Sequence, residues 1–167
     1  PSHKGGTSAS AADRWQMLCL ACADDPRLVA DESEMRRRKP SYTVDTLLKL
    51  RSANPGKVLA WVIGSDAYAL LPSWYRWREV LELANLVVLK RPGYSLRLDA
   101  TMASLTDSHR VENLSGCLNG GVLVVESAMR EVAAEDIRSL LATGQVADHL
   151  LPIAVGTYIR DHNLYGD

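Results

Sequence analysis

From Val58 to Ile63 the chain carries an apolar, partly β-branched run, Val-Leu-Ala-Trp-Val-Ile, which stops on Gly64-Ser65-Asp66. A continuous apolar run of strand length suits a strand covered on both faces, as in parallel sheets. By ending in Gly-x-Asp, it delivers a close-approach backbone and a carboxylate to its carboxyl end. Open parallel α/β sheets bind ligands at that end. Leu71-Pro72-Ser73-Trp74-Tyr75 follows, and then Lys90-Arg91-Pro92-Gly93-Tyr94. The aromatic pair can offer a stacking face to a flat ring, so nucleotide chemistry is the first expectation.

The rest of the pattern alternates. Ser10-Ala11-Ala12-Asp13 is a capping signal for a helix to about Ala23, stopped by Asp24-Asp25-Pro26. Arg27 to Asp31 reads as a short strand. Ser41-Tyr42-Thr43 opens a helix after Pro40, and Asn54-Pro55-Gly56 ends it beyond about Arg51. A short helix is expected over 66–71, an amphipathic one over 76–83, and a buried strand over Leu86–Leu89. From Gly93 to Asn119 the pattern weakens, and a loop-rich insertion with one helix near 98–105 is expected. Val122–Val125 reads as a strand, and Glu135–Ala142 as a helix closed by Thr143-Gly144. Leu151-Pro152 begins a last helix to about His162. The expected architecture is α/β, a doubly wound parallel sheet covered on both faces, forming one domain over 1–167 with a C-terminal helical part at about 134–165.

Composition narrows the partners. The 167 residues carry a formal net charge of −1, which gives no reason to expect broad nucleic-acid binding. Arg36-Arg37-Arg38-Lys39 reads as a solvated basic face, with a local phosphate contact as the alternative. Cys19 and Cys22 sit inside an apolar helical pattern and read as small buried residues; with Cys117 they make an odd count of three. No second Cys/His pair supports zinc, and reduced thiols point to the cytoplasm. No run reaches the length of a membrane span, and no secretory signal is seen. The chain opens on Pro1 rather than Met, so processing or truncation is expected.

Several blocks, in order, resemble the bacterial nicotinate-nucleotide adenylyltransferase family. Pro1-Ser2-His3-Lys4 is similar to its Pro-Pro-His-Lys loop, and Arg14-Trp15-Gln16-Met17-Leu18 to its Arg-x-x-Met-Leu helix. Pro40-Ser41-Tyr42-Thr43 with Thr46-Leu47 matches its Pro-Ser-Tyr-Thr-x-x-Thr-Leu block. Gly64-Ser65-Asp66, Trp74-Tyr75, Arg91-Pro92-Gly93-Tyr94 and the closing Leu151-Pro152 and Leu164-Tyr165 complete the series. The resemblance implies a Rossmann-like nucleotidyltransferase fold. It implies adenylyl transfer from ATP, with Mg²⁺, to nicotinate mononucleotide in NAD biosynthesis.

By the same resemblance His3 and Lys4 hold the mononucleotide phosphate, and Ser41, Tyr42 and Thr43 meet the nicotinate carboxylate. Trp74 stacks on the pyridine ring with Tyr75 beside it, while Trp61 and Trp77 read as packing residues. Asp66 accepts from ribose hydroxyls next to Gly64. Arg91 and Arg138 are the phosphate or adenine-side contacts. The pantetheine-phosphate enzyme of the same fold fits less well, because of the Ser-Tyr-Thr and Trp-Tyr blocks.

Two departures from the family stand out. Its members begin with a strand, a Gly-rich HxGH turn, a helix and a second strand. Here His3, His109, His149 and His162 are scattered and none forms HxGH, so no catalytic residue is assigned. Without that first strand–helix–strand, Val62 and Val88 are expected to be exposed and the bare chain poorly stable. The family's Ile-Ser-x-Thr-x-Ile-Arg motif is replaced by Val132-Ala133-Ala134-Glu135-Asp136-Ile137-Arg138. Both hydroxyls are lost, and Glu135 competes with phosphate for the positive end of the helix. A family member that binds a mononucleotide without catalysis is therefore the alternative expectation.

Overall fold

The computed structural model describes residues 9–37, 40–90, 96–126, 134–145 and 147–166. The chain packs into two compact units, one formed by Ser41–Glu131 and the other by Pro1–Pro40 with Val132–Asp167.

The second of these begins with helix α1 (Ala11–Cys22), whose start is a complete capping box. The Ser10 hydroxyl oxygen accepts from the Asp13 amide, and the Asp13 carboxylate accepts from the Ser10 amide at 3.0 Å. Two of the amides that a helix start leaves orphaned are satisfied reciprocally. The expected strand over 27–31 is absent. Leu28 donates back to the Asp25 carbonyl at 2.9 Å, and the Asp25 carboxylate accepts from the Arg27 amide and guanidinium. Local turn bonds around Pro26 take the groups a strand would have needed for pairing. Cys19 and Cys22 are half-buried free thiols rather than fully buried ones. Arg36 is exposed and paired with Glu32.

In the sheet unit, α2 (Thr43–Ala53) precedes strand β1 (Ala60–Gly64), and α3 (Ser65–Ala69) follows directly. A single 3-10 turn (Leu71–Ser73) leads to α4 (Trp77–Leu83) and β2 (Asn85–Lys90). Then come α5 (Ala100–His109) and β3 (Val122–Glu126). The remaining helices, α6 (Ala134–Ala142) and α7 (Ile153–Asp161), belong to the unit of Pro1–Pro40 and Val132–Asp167, where α7 packs on α1. Gly144 at φ 72° closes α6, a left-handed step that glycine takes without strain.

The sheet is parallel, in the order β1-β2-β3, with Gly64 beside Leu89 and Leu89 beside Val125. Helical crossovers join the strands, as parallel pairing demands. Leu47, Tyr68, Leu71, Val80, Leu86, Val88, Met102 and Val122 form its dry interior. Trp61, Trp74 and Trp77 pack partly buried against it. β1 pairs only with β2 among the described residues, and Val62 on it is 57% exposed, as expected. Val88 is fully buried, against expectation, because it stands in register with the buried Ile63 on the face of the sheet that carries the core, whereas Val62 is in register with Val87 on the opposite face.

The amino ends of the strands are tied by side chains. The buried Asn85 amide donates to the Leu59 carbonyl at 3.1 Å and the Cys117 carbonyl at 2.7 Å. Its oxygen accepts from the Gly121 amide at 2.8 Å and the Cys117 thiol at 3.1 Å. Arg51 donates to the carbonyls of Leu83, Leu118 and Lys57. These bonds hold one end of the sheet and leave the carboxyl ends for other work.

Candidate functional site

At its carboxyl end β1 becomes α3 without a connecting loop, and Gly64 is the hinge between them. A Cβ built on Gly64 would lie 2.6 Å from Asp66 Oδ1, so the Asp66 carboxylate occupies the space a side chain would have taken. The absence of a Cβ lets the carboxylate fold back over the strand end. Asp66 is exposed, in the first turn of α3, while Ser65 is buried. α3 is anchored from below: the fully buried Tyr68 hydroxyl shares a 2.7 Å hydrogen bond with Thr106 on α5. Burial pushes the Tyr68 phenol up, with the Thr106 bond opposing it, so the group stays neutral and structural.

From α3 the chain turns at Leu71–Ser73 and presents Trp74 and Tyr75. The Trp74 amide donates to the Leu71 carbonyl at 2.9 Å, and its ring is half-buried against the core. Tyr75 is exposed and meets Tyr42, with ring centres 4.6 Å apart and planes tilted by 39°. Tyr42 precedes α2 and contributes no side-chain cap to it. The start of α2, with its amides directed outward and the positive end of its dipole, therefore lies beside an exposed pair of rings. α2 packs on α4, which brings these distant segments together. Ser41 lies outside the helix and Thr43 is its first residue.

Arg76 caps the start of α4 in a left-handed conformation, and its guanidinium is held by Glu79. The Glu79 carboxyl is pulled below the usual carboxylate range, chiefly by its hydrogen bond to Arg76. At the carboxyl ends of β2 and β3, Lys90 donates to Glu126 at 2.6 Å, which lowers the Glu126 carboxyl. Sequence reasoning passed over both pairs. The Arg76–Glu79 spacing was a visible helical signal; Lys90–Glu126 depends on strand register alone.

The structure thus places Ser41, Tyr42, Thr43, Gly64, Asp66, Trp74 and Tyr75 in one compact unit. Arg138 is exposed on α6 in the other unit. His3, Lys4 and Arg91 lie outside the described residues, as do Val132 and Ala133 of the altered motif. Glu135 and Asp136 both stand in the first turn of α6. Among the described residues no three His, Cys, Asp or Glu side chains gather as a metal cluster, and no helix is long and apolar enough to cross a membrane.

Comparison with known proteins adds to this geometry. A model of the cytidylyltransferase-like family matches residues 1–139. The chain is 39% identical, over 99% of its length and 78% of the relative's, to a probable nicotinate-nucleotide adenylyltransferase of Aeromonas hydrophila. A protein of the same description in Klebsiella pneumoniae is 37% identical, with 99% of this chain and 79% of that one covered. Among solved structures, a Plasmodium falciparum nicotinic acid mononucleotide adenylyltransferase complexed with NaAD superposes with a TM-score of 0.65 at 14% identity, covering 94% of this chain and 75% of that one. The same enzyme complexed with APC gives 0.62, covering 94% and 76%. These likenesses carry the fold, which is the Rossmann-like nucleotidyltransferase type built on a parallel sheet. The chain belongs to the cytidylyltransferase-like family and, within it, to the nicotinate-nucleotide adenylyltransferases.

Proposed function

We propose that this protein transfers the adenylyl group of ATP to nicotinate mononucleotide, releasing pyrophosphate and forming deamido-NAD for NAD biosynthesis. The observation that carries the reading is the exposed Tyr42–Tyr75 pair at the open start of α2, in a chain 39% identical to its Aeromonas relative over nearly its whole length. A pyridine ring carrying a carboxylate needs both features at once: an aromatic face and a site for an anion.

In this reaction a phosphate oxygen of the mononucleotide attacks the α-phosphorus of ATP. The new P–O bond forms as the α–β bridge breaks, and the electron pair leaves with pyrophosphate. The protein's part is positioning and charge stabilisation. In our reading Tyr42, Trp74 and Tyr75 take the ring, and the start of α2 at Ser41–Thr43 takes the carboxylate. His3 and Lys4 hold the acceptor phosphate. Gly64 lets the nucleotide approach the strand end, Asp66 accepts from ribose hydroxyls, and Arg91 and Arg138 serve the phosphate or adenine side. Mg²⁺ enters bound to ATP. The sequence carries no HxGH, and no catalytic histidine is assigned to it. The family match runs through both compact units, which supports reading them as parts of one nucleotidyltransferase domain, with its C-terminal helical part at about 134–165. Half-buried free thiols favour the cytoplasm.

The test is pyrophosphate release by the full-length protein with MgATP, comparing nicotinate mononucleotide with its amide. The acid form is expected to be preferred by at least about tenfold in kcat/KM. Preference for the amide removes the role given to Ser41–Thr43. A second reading, mononucleotide binding without transfer, is favoured by Glu135 and Asp136, whose charges oppose a triphosphate at the start of α6. Saturable binding of nicotinate mononucleotide with no pyrophosphate release and no MgATP binding selects it.

A further inference from the structure

Arg76 has a left-handed backbone, φ 52° and ψ 39°, in a residue with a full side chain. Such a conformation costs free energy for anything but glycine and persists only where the surroundings impose it. Its guanidinium grips Glu79 at two points, with Nε 2.7 Å from Oε1 and Nη2 on Oε2. The same guanidinium lies 5.9 Å from the centre of the Tyr75 ring, within cation–π reach. Tyr75 rests in turn on Tyr42 at 4.6 Å. From the first turn of α2, Asp45 adds a second negative charge toward Arg76.

As a stabilising device this arrangement makes little sense. The two side chains are 39% and 36% exposed, and an ion pair that wet contributes little to folding. A left-handed arginine works against the fold. What the pair does accomplish is to fix a cation beside an exposed ring.

We infer that Arg76 is a positioning residue for the acceptor subsite: clamped by Glu79, it holds the Tyr75 ring against Tyr42, so that the aromatic face beside α2 is formed before nicotinate mononucleotide arrives. The inference rests on the acceptor role proposed above for Tyr42 and Tyr75. Ordering that face in advance removes part of the entropy cost of binding the flat ring. Arg76 acts through Tyr75 and has no part in moving the adenylyl group.

Steady-state kinetics on the full-length protein test it, with Arg76→Gly, Arg76→Lys, Glu79→Gln and Tyr42→Ala. Glycine accepts the left-handed conformation, so Arg76→Gly should keep or raise the thermal midpoint, and loss of folding cannot explain its effect. The expected result is a rise of about fivefold in KM for nicotinate mononucleotide in Arg76→Gly and Glu79→Gln. KM for ATP and kcat should stay within about twofold. Arg76→Lys should fall between, since it keeps the charge but not the two-point geometry. If Tyr42→Ala raises KM for the acceptor while Arg76→Gly leaves it unchanged, the clamp is overturned and the acceptor subsite stands. If both are silent, both readings fall. An equal rise in KM for the two substrates, or a loss confined to kcat, also overturns the clamp.

Discussion

Gly64 and Asp66 share one small volume, with 2.6 Å separating a would-be Cβ from Oδ1. In Gly64→Ala the carboxylate must rotate away, and since it is the free end of a side chain the fold should feel this by less than about 0.5 kcal/mol. The nucleotide loses its ribose acceptor, and kcat/KM is expected to fall by about tenfold. Parallel thermal melts and kinetics separate the two effects. Asn85 is the opposite case. Its fully buried amide satisfies four neighbouring groups at the amino ends of the strands. Asn85→Ala strands the Gly121 amide and the Cys117 carbonyl, while the Leu59 carbonyl keeps the Asn85 backbone amide; the cost is about 2–4 kcal/mol, which calorimetry should register as a midpoint lower by about 5–10 °C. Gly64-x-Asp66 was legible in sequence because strand, glycine and acid are adjacent. Neither the Asn85 network nor the Tyr42–Tyr75 contact was, since each joins segments far apart in the chain.

Among the elements, α1 was the most legible, because a capping box is a local pattern. Ser10→Ala should cost about 1 kcal/mol in thermal or chemical unfolding. The Asp13 carboxyl is held below its usual range, chiefly by the Ser10 hydroxyl, with a further hydrogen bond from Tyr158 at 3.0 Å. Because the folded value is depressed, the stabilisation is present above the unfolded value and is lost as pH falls through the folded one. Helicity followed from about pH 5 to pH 2 should therefore fall more steeply in the parent than in Ser10→Ala. The Tyr158 bond, from α7 to α1, could not be read from either helix alone. At 27–31 a short strand was expected, and turn bonds around Pro26 prevailed. α5 runs over Ala100–His109, later than the expected 98–105, because the Asp99 carboxylate caps it at the Met102 amide.

For the molecule as a whole, the edge of the sheet at β1 is the most consequential feature. Val62 there is 57% exposed, and β1 pairs on one side only among the described residues. A polypeptide of residues 1–167 alone is expected to self-associate as its concentration rises, and Val62→Lys to reduce this, as sedimentation velocity would record. The sequence by itself determined the α/β class, the three parallel strands and the family, because apolar runs, caps and motif blocks are short-range signals that survive without tertiary context. Only the tertiary structure decided which valine is covered, since Val62 and Val88 both sit in apolar strand runs and differ in the face of the sheet they occupy, Val88 lying with Ile63 on the face that carries the core. It also decided that Tyr42 meets Tyr75 and that Arg76 stands over the latter. The ring contact arises from the packing of α2 on α4, a free-energy choice made between segments that carry no record of each other in their own residues, whereas Arg76 meets its chain neighbour Tyr75 through a left-handed backbone that the sequence does not announce.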